Sequence, residues 1–359
     1  MTLYARDVAD VQEALQPGTR LLPRGGGSKT GLSAGVEGAQ VLDVSALTGV
    51  VEHLPAEFTV TVAAATPVVE VEELLGQSGQ YLPFDPLLVA GGATMGGSVA
   101  AGVSGPGRVR YGGIRDFVLG VTVVDGTGAE IRGGGKVVKN AAGFDLPKLM
   151  VGSLGSLGVM TELTFKVFPA PEARLTVRAQ AGSLRSALEL AAVLYRSPVQ
   201  FDALDLDRAG TLWARISGRR AALAPRAERL LTMLEGGESL EESEAEAIWS
   251  EGRELAWIGE EAAAVRVPLT PSRIEGLERS LPKECRLRVS GGGQMVWVGW
   301  PAMAGGIGPL DALLEKIDLG GLRVLGGSGP RLIGHRASRA AVARVRGALD
   351  PYTRLAEAC

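Results

Sequence analysis

The chain has 359 residues, 46% hydrophobic, 21% charged and 5% aromatic, with 37 Lys and Arg against 40 Asp and Glu for a formal net charge of −3. That length and apolar content fit two or three globular domains and exclude a disordered tail, and the near-even charge gives no concentrated basic surface for nucleic acid. Two histidines (His53, His335), two cysteines (Cys285, Cys359) and no CxxC pair exclude a four-cysteine zinc site, an iron–sulfur cluster or a three-histidine zinc site within the chain.

No metal site is expected, and the cysteine usage points to a reducing cytoplasm rather than a disulfide framework. Electrons, if this protein moves them, need a bound organic cofactor. Glycine is in excess, at 51 of the 359 residues, roughly twice average usage. Codon bias would raise glycine everywhere; grouping it into loops points to tight turns or to backbone pressed against a ligand.

Residues 1–20 lack a charged region followed by an apolar run and do not read as a signal peptide. Residues 7–15 predict a short amphipathic helix with Val8, Val11, Ala14 and Leu15 on one side. Leu21-Leu22-Pro23 ends a strand and runs into Arg24-Gly25-Gly26-Gly27-Ser28-Lys29-Thr30-Gly31. In that loop successive backbone N–H groups can turn inward as an anion nest, with Arg24 and Lys29 adding charge and Ser28 and Thr30 hydroxyls; an unliganded surface loop is the alternative. Strands are predicted over 41–44 and 59–63, and a helix over 67–75 with Glu70, Glu72 and Glu73 outward. His53 follows a Val-Val-Glu strand and reads as a surface residue.

Residues 86–107 carry no charge for 22 residues, but seven glycines and two prolines make a poor membrane span. A buried loop and short helix against a ligand fits better. Its centre, Ala90-Gly91-Gly92-Ala93-Thr94-Met95-Gly96-Gly97-Ser98 through Ala101 to Gly105, suits backbone laid flat along an extended cofactor. A tightly packed glycine/alanine helix pair is the alternative. A strand over 118–124 turns at Asp125-Gly126-Thr127-Gly128 and returns over 129–132. A third glycine loop, Gly152-Ser153-Leu154-Gly155-Ser156-Leu157-Gly158, runs into an alternating strand over 159–168, and Pro169-Ala170-Pro171 marks a domain boundary.

Beyond it, strands over 174–179, 203–206 and 212–216 with helices over 184–195 and 222–234 form one run. Strands over 263–268, 286–290, 294–300 and 322–325 with helices over 271–280 and 310–316 repeat the order. Two such runs predict an antiparallel sheet with helices on one face. The acidic stretch 235–246 reads as a solvated connection or helix face, and 337–349 as a last helix. Trp249, Trp257, Trp297 and Trp300 all fall in this half, either as core or as an aromatic docking surface. G-x-G-x-x-G and the Walker phosphate loop are missing, which removes support for a Rossmann site or a P-loop NTPase, and two histidines leave little room for a Ser-His-Asp hydrolase.

The three glycine loops, in this order and at these intervals, resemble the FAD domain of the vanillyl-alcohol oxidase and para-cresol methylhydroxylase (PCMH-type) superfamily. Lys136-Val137-Val138-Lys139-Asn140-Ala141-Ala142-Gly143-Phe144-Asp145-Leu146, followed by Leu149-Met150-Val151-Gly152, is similar to the FAD-binding subunits of bacterial glycolate oxidases, and Ala348-Leu349-Asp350-Pro351 to their C-terminal end. The resemblance spans residues 21–169. It implies an α+β chain: a two-subdomain FAD-binding domain over 1–170, a substrate or cap domain with an antiparallel sheet over 171–330, and a segment, 331–359, that returns to the FAD domain.

By resemblance, Arg24, Gly25, Gly26, Gly27, Ser28 and Thr30 would hold the FAD pyrophosphate. Pro86, Gly91, Gly92, Ala93, Thr94, Gly96, Gly97 and Ser98 would lie along the cofactor, and Ala101 and Gly105 near the flavin. Gly158 and Val159 would offer backbone. One of Arg108, Arg110 and Arg115, around Gly112, would face the flavin or a carboxylate substrate; a surface arginine cluster is the alternative.

With no histidine at the loops, FAD is expected to be non-covalent. The histidine-rich motif of related 2-hydroxy-acid dehydrogenases is missing, and Leu154 stands where active relatives often have glutamate. No catalytic base is identified; a lone His335 is more often structural than catalytic. The resemblance implies an FAD-binding subunit of a glycolate-type 2-hydroxy-acid oxidase or dehydrogenase, with a second flavoprotein, an iron–sulfur subunit and a small hydroxy-acid substrate. The alternatives are a stand-alone FAD dehydrogenase and a non-catalytic scaffold. No membrane segment is expected.

Overall fold

A computed structural model describes residues 2–34, 36–135, 144–259, 262–336 and 339–357. The motif residues 136–143, the first residues of the expected last helix and Cys359 lie outside them. The chain divides into two compact units: residues 1–104, 113–170 and 336–359, and residues 105–112 and 171–335. Among the described residues no helix is long and apolar enough to cross a membrane.

The first unit holds two main sheets. The smaller is parallel, in the order Thr2–Tyr4, Gln40–Asp43, Leu21–Arg24. The Val8–Ala14 helix packs Val11 into its core, and the Asp7 side chain caps that helix by accepting from the Asp10 amide. The larger sheet is antiparallel, in the order Val50–Leu54, Thr59–Ala63, Val159–Lys166, Val118–Val124, Glu130–Gly134. Its central strands are buried on both faces, so Val60, Val62, Val121, Val123, Leu163 and Phe165 form a core without clean alternation.

His53 is a correction to the sequence reading. It is half-buried inside the Val50–Leu54 strand, with Nε2 3.0 Å from Gln80 Oε1. The C-terminal segment returns to the parallel sheet: Leu355 bridges Leu21 in parallel, the Leu21 amide donates to the Arg354 carbonyl at 2.7 Å, and the Ala356 amide donates to the Leu21 carbonyl at 2.8 Å. Leu355 is fully buried in the same core as Val11, Leu21 and Leu42.

The second unit is built on one nine-stranded sheet. Both predicted runs are present. One contributes Ala173–Gln180, Thr211–Gly218 and Ala203–Asp207 side by side; the other contributes Arg286–Ser290, Met295–Trp300, Ala263–Pro268 and Gly320–Leu325. They join where Leu206 pairs with Val289. Helices Leu184–Arg196, Arg220–Met233, Ile274–Ser280 and Gly308–Lys316 pack Ala187, Leu230, Leu277 and Leu314 into one core with alternate strand residues such as Val177, Ala214 and Val265.

The opposite face is polar. There Arg215 pairs with Asp202 at 3.0 Å and Arg288 with Asp205 at 2.8 Å. A helix over Glu242–Glu254 lays Trp249 on this face, where its indole N–H donates to Thr176 Oγ1 at 2.9 Å. Trp249, Trp297 and Trp300 are all buried, so they serve as core and not as a docking surface.

Candidate functional site

The chemistry-bearing loops of the first unit meet in one groove. The Leu21–Arg24 strand delivers Gly25–Ser28 to its edge, and that loop leads into the helical turn Thr30–Ser33. Among the described residues, nothing accepts a hydrogen bond from the amides of Gly25, Gly26, Gly27 or Ser28. A row of N–H groups without protein acceptors on a glycine loop is a ready anion nest. Arg24 Nη2 reaches Asp43 Oδ2 at 3.3 Å and so fixes the strand end. Burial of Asp43 opposes its ionisation, but hydrogen bonds from Ser45 and Arg24 outweigh it and hold this carboxyl below its ordinary value. Lys29 lines the groove although only 6% of it is exposed, bringing a cation to the nest.

The second loop backs the first. A Cβ on Gly26 would lie 2.0 Å from the Gly92 carbonyl oxygen, and one on Gly25 2.9 Å from Thr94 Oγ1. Thr94 caps the Met95–Ala101 helix by accepting from the Gly97 amide at 3.1 Å. Gly96 in turn lies on the end of the Thr59–Ala63 strand, its amide donating to the Ala64 carbonyl at 2.6 Å. The third loop docks on the same helix: the Gly152 amide donates to Val99 O at 2.9 Å and the Leu154 amide to Ala100 O at 3.0 Å.

The groove therefore brings together Arg24, Gly25, Gly26, Gly27, Ser28, Thr94, Gly96, Gly97, Ala101, Gly158 and Val159 of the expected residues. Thr30, Pro86, Gly91, Gly92, Ala93 and Ser98 do not line it. Thr30 opens the turn behind the nest. Gly92 buttresses Gly26, Ala93 is buried with its carbonyl taken by the Val68 amide at 2.8 Å, and Ser98 is buried in the helix. Gly105, Arg108 and Gly112 belong to the second unit, where Arg108 packs on Gly291 and Arg110 stacks on Tyr111 at 5.0 Å. Arg115 is exposed on a turn of the first unit.

Sequence reasoning missed the apolar walls, formed by Leu22, Leu32, Val44, Ala64, Ala65 and Met160. These are ordinary apolar residues of strands, strand ends and, for Leu32, of the Thr30–Ser33 turn; only the Ala63-Ala64-Ala65 run beside a predicted strand hints at a close approach.

The donor set suits a nucleotide cofactor with a pyrophosphate: an amide nest with two nearby cations, then glycine backbone between apolar walls. The cradle has no room for added side chains at Gly25, Gly26 or Gly96. No histidine or cysteine is among the lining residues.

Comparison with known proteins agrees. Residues 1–134 match the family model described as FAD binding domain. The chain is 40% identical to glycolate oxidase subunit GlcE of Escherichia coli over 245 residues, covering 68% of this chain and 66% of that protein. It is 34% identical to glycolate oxidase subunit GlcD of Bacillus subtilis over 160 residues, 44% of this chain and 34% of that one. To a D-lactate dehydrogenase of Archaeoglobus fulgidus it is 29% identical over 226 residues, 61% of this chain and 49% of that one. The chain thus spans just under two thirds of the first relative and a third to a half of the other two. A solved alkyldihydroxyacetonephosphate synthase shares the fold, with a TM-score of 0.71 at 15% identity over 98% of this chain and 75% of that chain. FAD is the cofactor of this chain, and its residues 1–134 carry the FAD binding domain that the family model describes.

Proposed function

We propose that this chain is the FAD-binding subunit of a glycolate-type 2-hydroxy-acid oxidoreductase and that its flavin works with partner chains. The observation that carries the reading is the groove itself, an uncommitted amide nest beside Lys29, in a chain 40% identical to a protein named a glycolate oxidase subunit. The Gly25–Ser28 amides and Lys29 would hold the pyrophosphate. Thr94, Gly96 and Gly97 would flank the extended cofactor, and Leu32, Val44, Ala64 and Met160 would exclude water. With no histidine or cysteine on the groove wall, FAD is held non-covalently. The second unit is the substrate or cap domain of this reading.

Bound FAD supplies a hydride acceptor for oxidation of an alcohol carbon. Removing the hydroxyl proton needs a positioned base, and neither histidine is placed at the groove. His335 is exposed in the second unit with Nδ1 3.1 Å from Asp318 Oδ1, and His53 is engaged by Gln80. A partner flavoprotein is therefore assigned the substrate chemistry, and an iron–sulfur partner the onward electrons, in keeping with a chain that has two cysteines. The complex is placed in the cytoplasm.

The purified chain is expected to show a visible flavin spectrum and to release intact FAD on denaturation. Glycolate or D-lactate without air should leave that spectrum oxidised until the partner subunits are added. Bleaching in the isolated chain would overturn the partner-dependent reading; no flavin after reconstitution would overturn the cofactor role of the groove. Lys29→Met should weaken FAD binding about tenfold through loss of one charged contact, measured by titrating FAD into apoprotein.

A further inference from the structure

The second unit has a cleft of its own, of about 530 Å3, between the Glu242–Glu254 helix and the Arg286–Ser290 strand. Trp213, Trp257, Ile248, Leu287, Cys285 and Arg288 line it, and none of them lines the FAD groove. Arg288 is 5% exposed. Its Nε donates to Asp205 Oδ2 at 2.8 Å, and its guanidinium lies 5.1 Å from the Trp213 ring centre. Its Nη2 has no hydrogen-bond partner among the described residues, and neither have the indole N–H groups of Trp213 and Trp257.

Buried N–H donors are paired in the great majority of cases, and an orphan costs about 1–3 kcal/mol. Here three orphaned donors belong to residues of one cleft, beside one orphaned acceptor, Oδ1 of the Asp205 carboxylate that pairs with Arg288, while other polar groups near them are engaged. Asp207 accepts from the Thr211 amide and hydroxyl, and Arg208 is held by Glu278 and by the carbonyls of Pro282 and Cys285. At the mouth, Lys283 and Arg286 offset Glu251 and Glu284, so rim charge favours neither sign.

Discrimination then falls to the walls and the donors. The indoles with Ile248 and Leu287 offer a flat apolar surface suited to an aromatic ring, and donors without acceptors call for ligand oxygens. The volume falls in the range of small-molecule sites.

We propose that this cleft binds a small planar carboxylate, its ring against Trp213 and Trp257 and its oxygens accepting from Arg288 and Trp257. The test uses the FAD-loaded full chain with benzoate as probe, benzyl alcohol and acetate as controls, and tryptophan fluorescence with calorimetry as readouts. Benzoate should bind saturably, with both controls at least about tenfold weaker, as expected for loss of either a charged hydrogen bond or the ring contact. Trp257→Phe should weaken benzoate about tenfold by removing one donor, and Ile248→Trp, which fills the cleft without removing a donor, should abolish binding. Flavin absorbance and FAD content should be unchanged throughout. No saturable binding, or binding that shifts the flavin spectrum and survives both substitutions, overturns the proposal.

Discussion

Gly26→Ala is expected to yield a folded chain that no longer retains FAD. The added methyl would lie 2.0 Å from the Gly92 carbonyl oxygen and 3.2 Å from the Thr94 methyl. The first obstacle is backbone, which cannot rotate away as a side chain does. Relief must come from parting the two loops whose contact aligns the nest, at a cost of about 3 kcal/mol, equivalent to a loss of FAD affinity of about 100-fold. Gly76→Ala is the matched control: a Cβ there meets nothing within 4 Å, in the Val68–Gln77 helix, so it should leave FAD affinity intact and stabilise slightly. FAD titration of both apoproteins, with circular dichroism to verify folding, decides it. Equal affinities would mean that the loop contact does not shape the cofactor site.

Leu355→Ala should cost about 3 kcal/mol of stability, the size expected when a fully buried leucine leaves a cavity. Leu355 is 0% exposed, and it bridges Leu21, the first residue of the strand that carries the nest. The turn before it depends on Asp350, whose carboxylate accepts from the Arg354 amide at 2.8 Å and the Leu355 amide at 3.0 Å. Asp350→Ala should therefore destabilise by a similar amount, since it orphans two backbone donors and leaves Arg346 without one of its partners. Both variants should lower the denaturant midpoint and release FAD earlier in the same titration. A loss of stability with FAD affinity unchanged would separate the C-terminal segment from the site.

Helices such as Leu184–Arg196 were legible because one wet and one dry side give them a period. Strands such as Ala263–Pro268 and Thr59–Ala63 are almost wholly buried, and short apolar, β-branched runs bounded by turn signals marked them instead. The Glu242–Glu254 helix was read only as an acidic connection or helix face, because just Trp249 and Gly252 are buried in it and no apolar stripe marks its length. The strand Thr2–Tyr4 spans three residues, too few to show any period. In the groove, glycine clusters gave away the nest and the Thr94–Gly97 loop, where backbone does the work. Val44, Ala64 and Met160 left no such trace, because a wall residue and a core residue carry the same side chain. Gly91–Ala93 share the composition of a binding loop, yet they brace the nest from behind and do not line it.

The tie between Leu21 and Leu355 also orders events in time. The nest loop emerges early from the ribosome, but the strand carrying it lacks its outer neighbour until residue 356 has been made. A chain cut before Leu355 is then expected to carry an incomplete strand at the nest and to hold FAD less tightly.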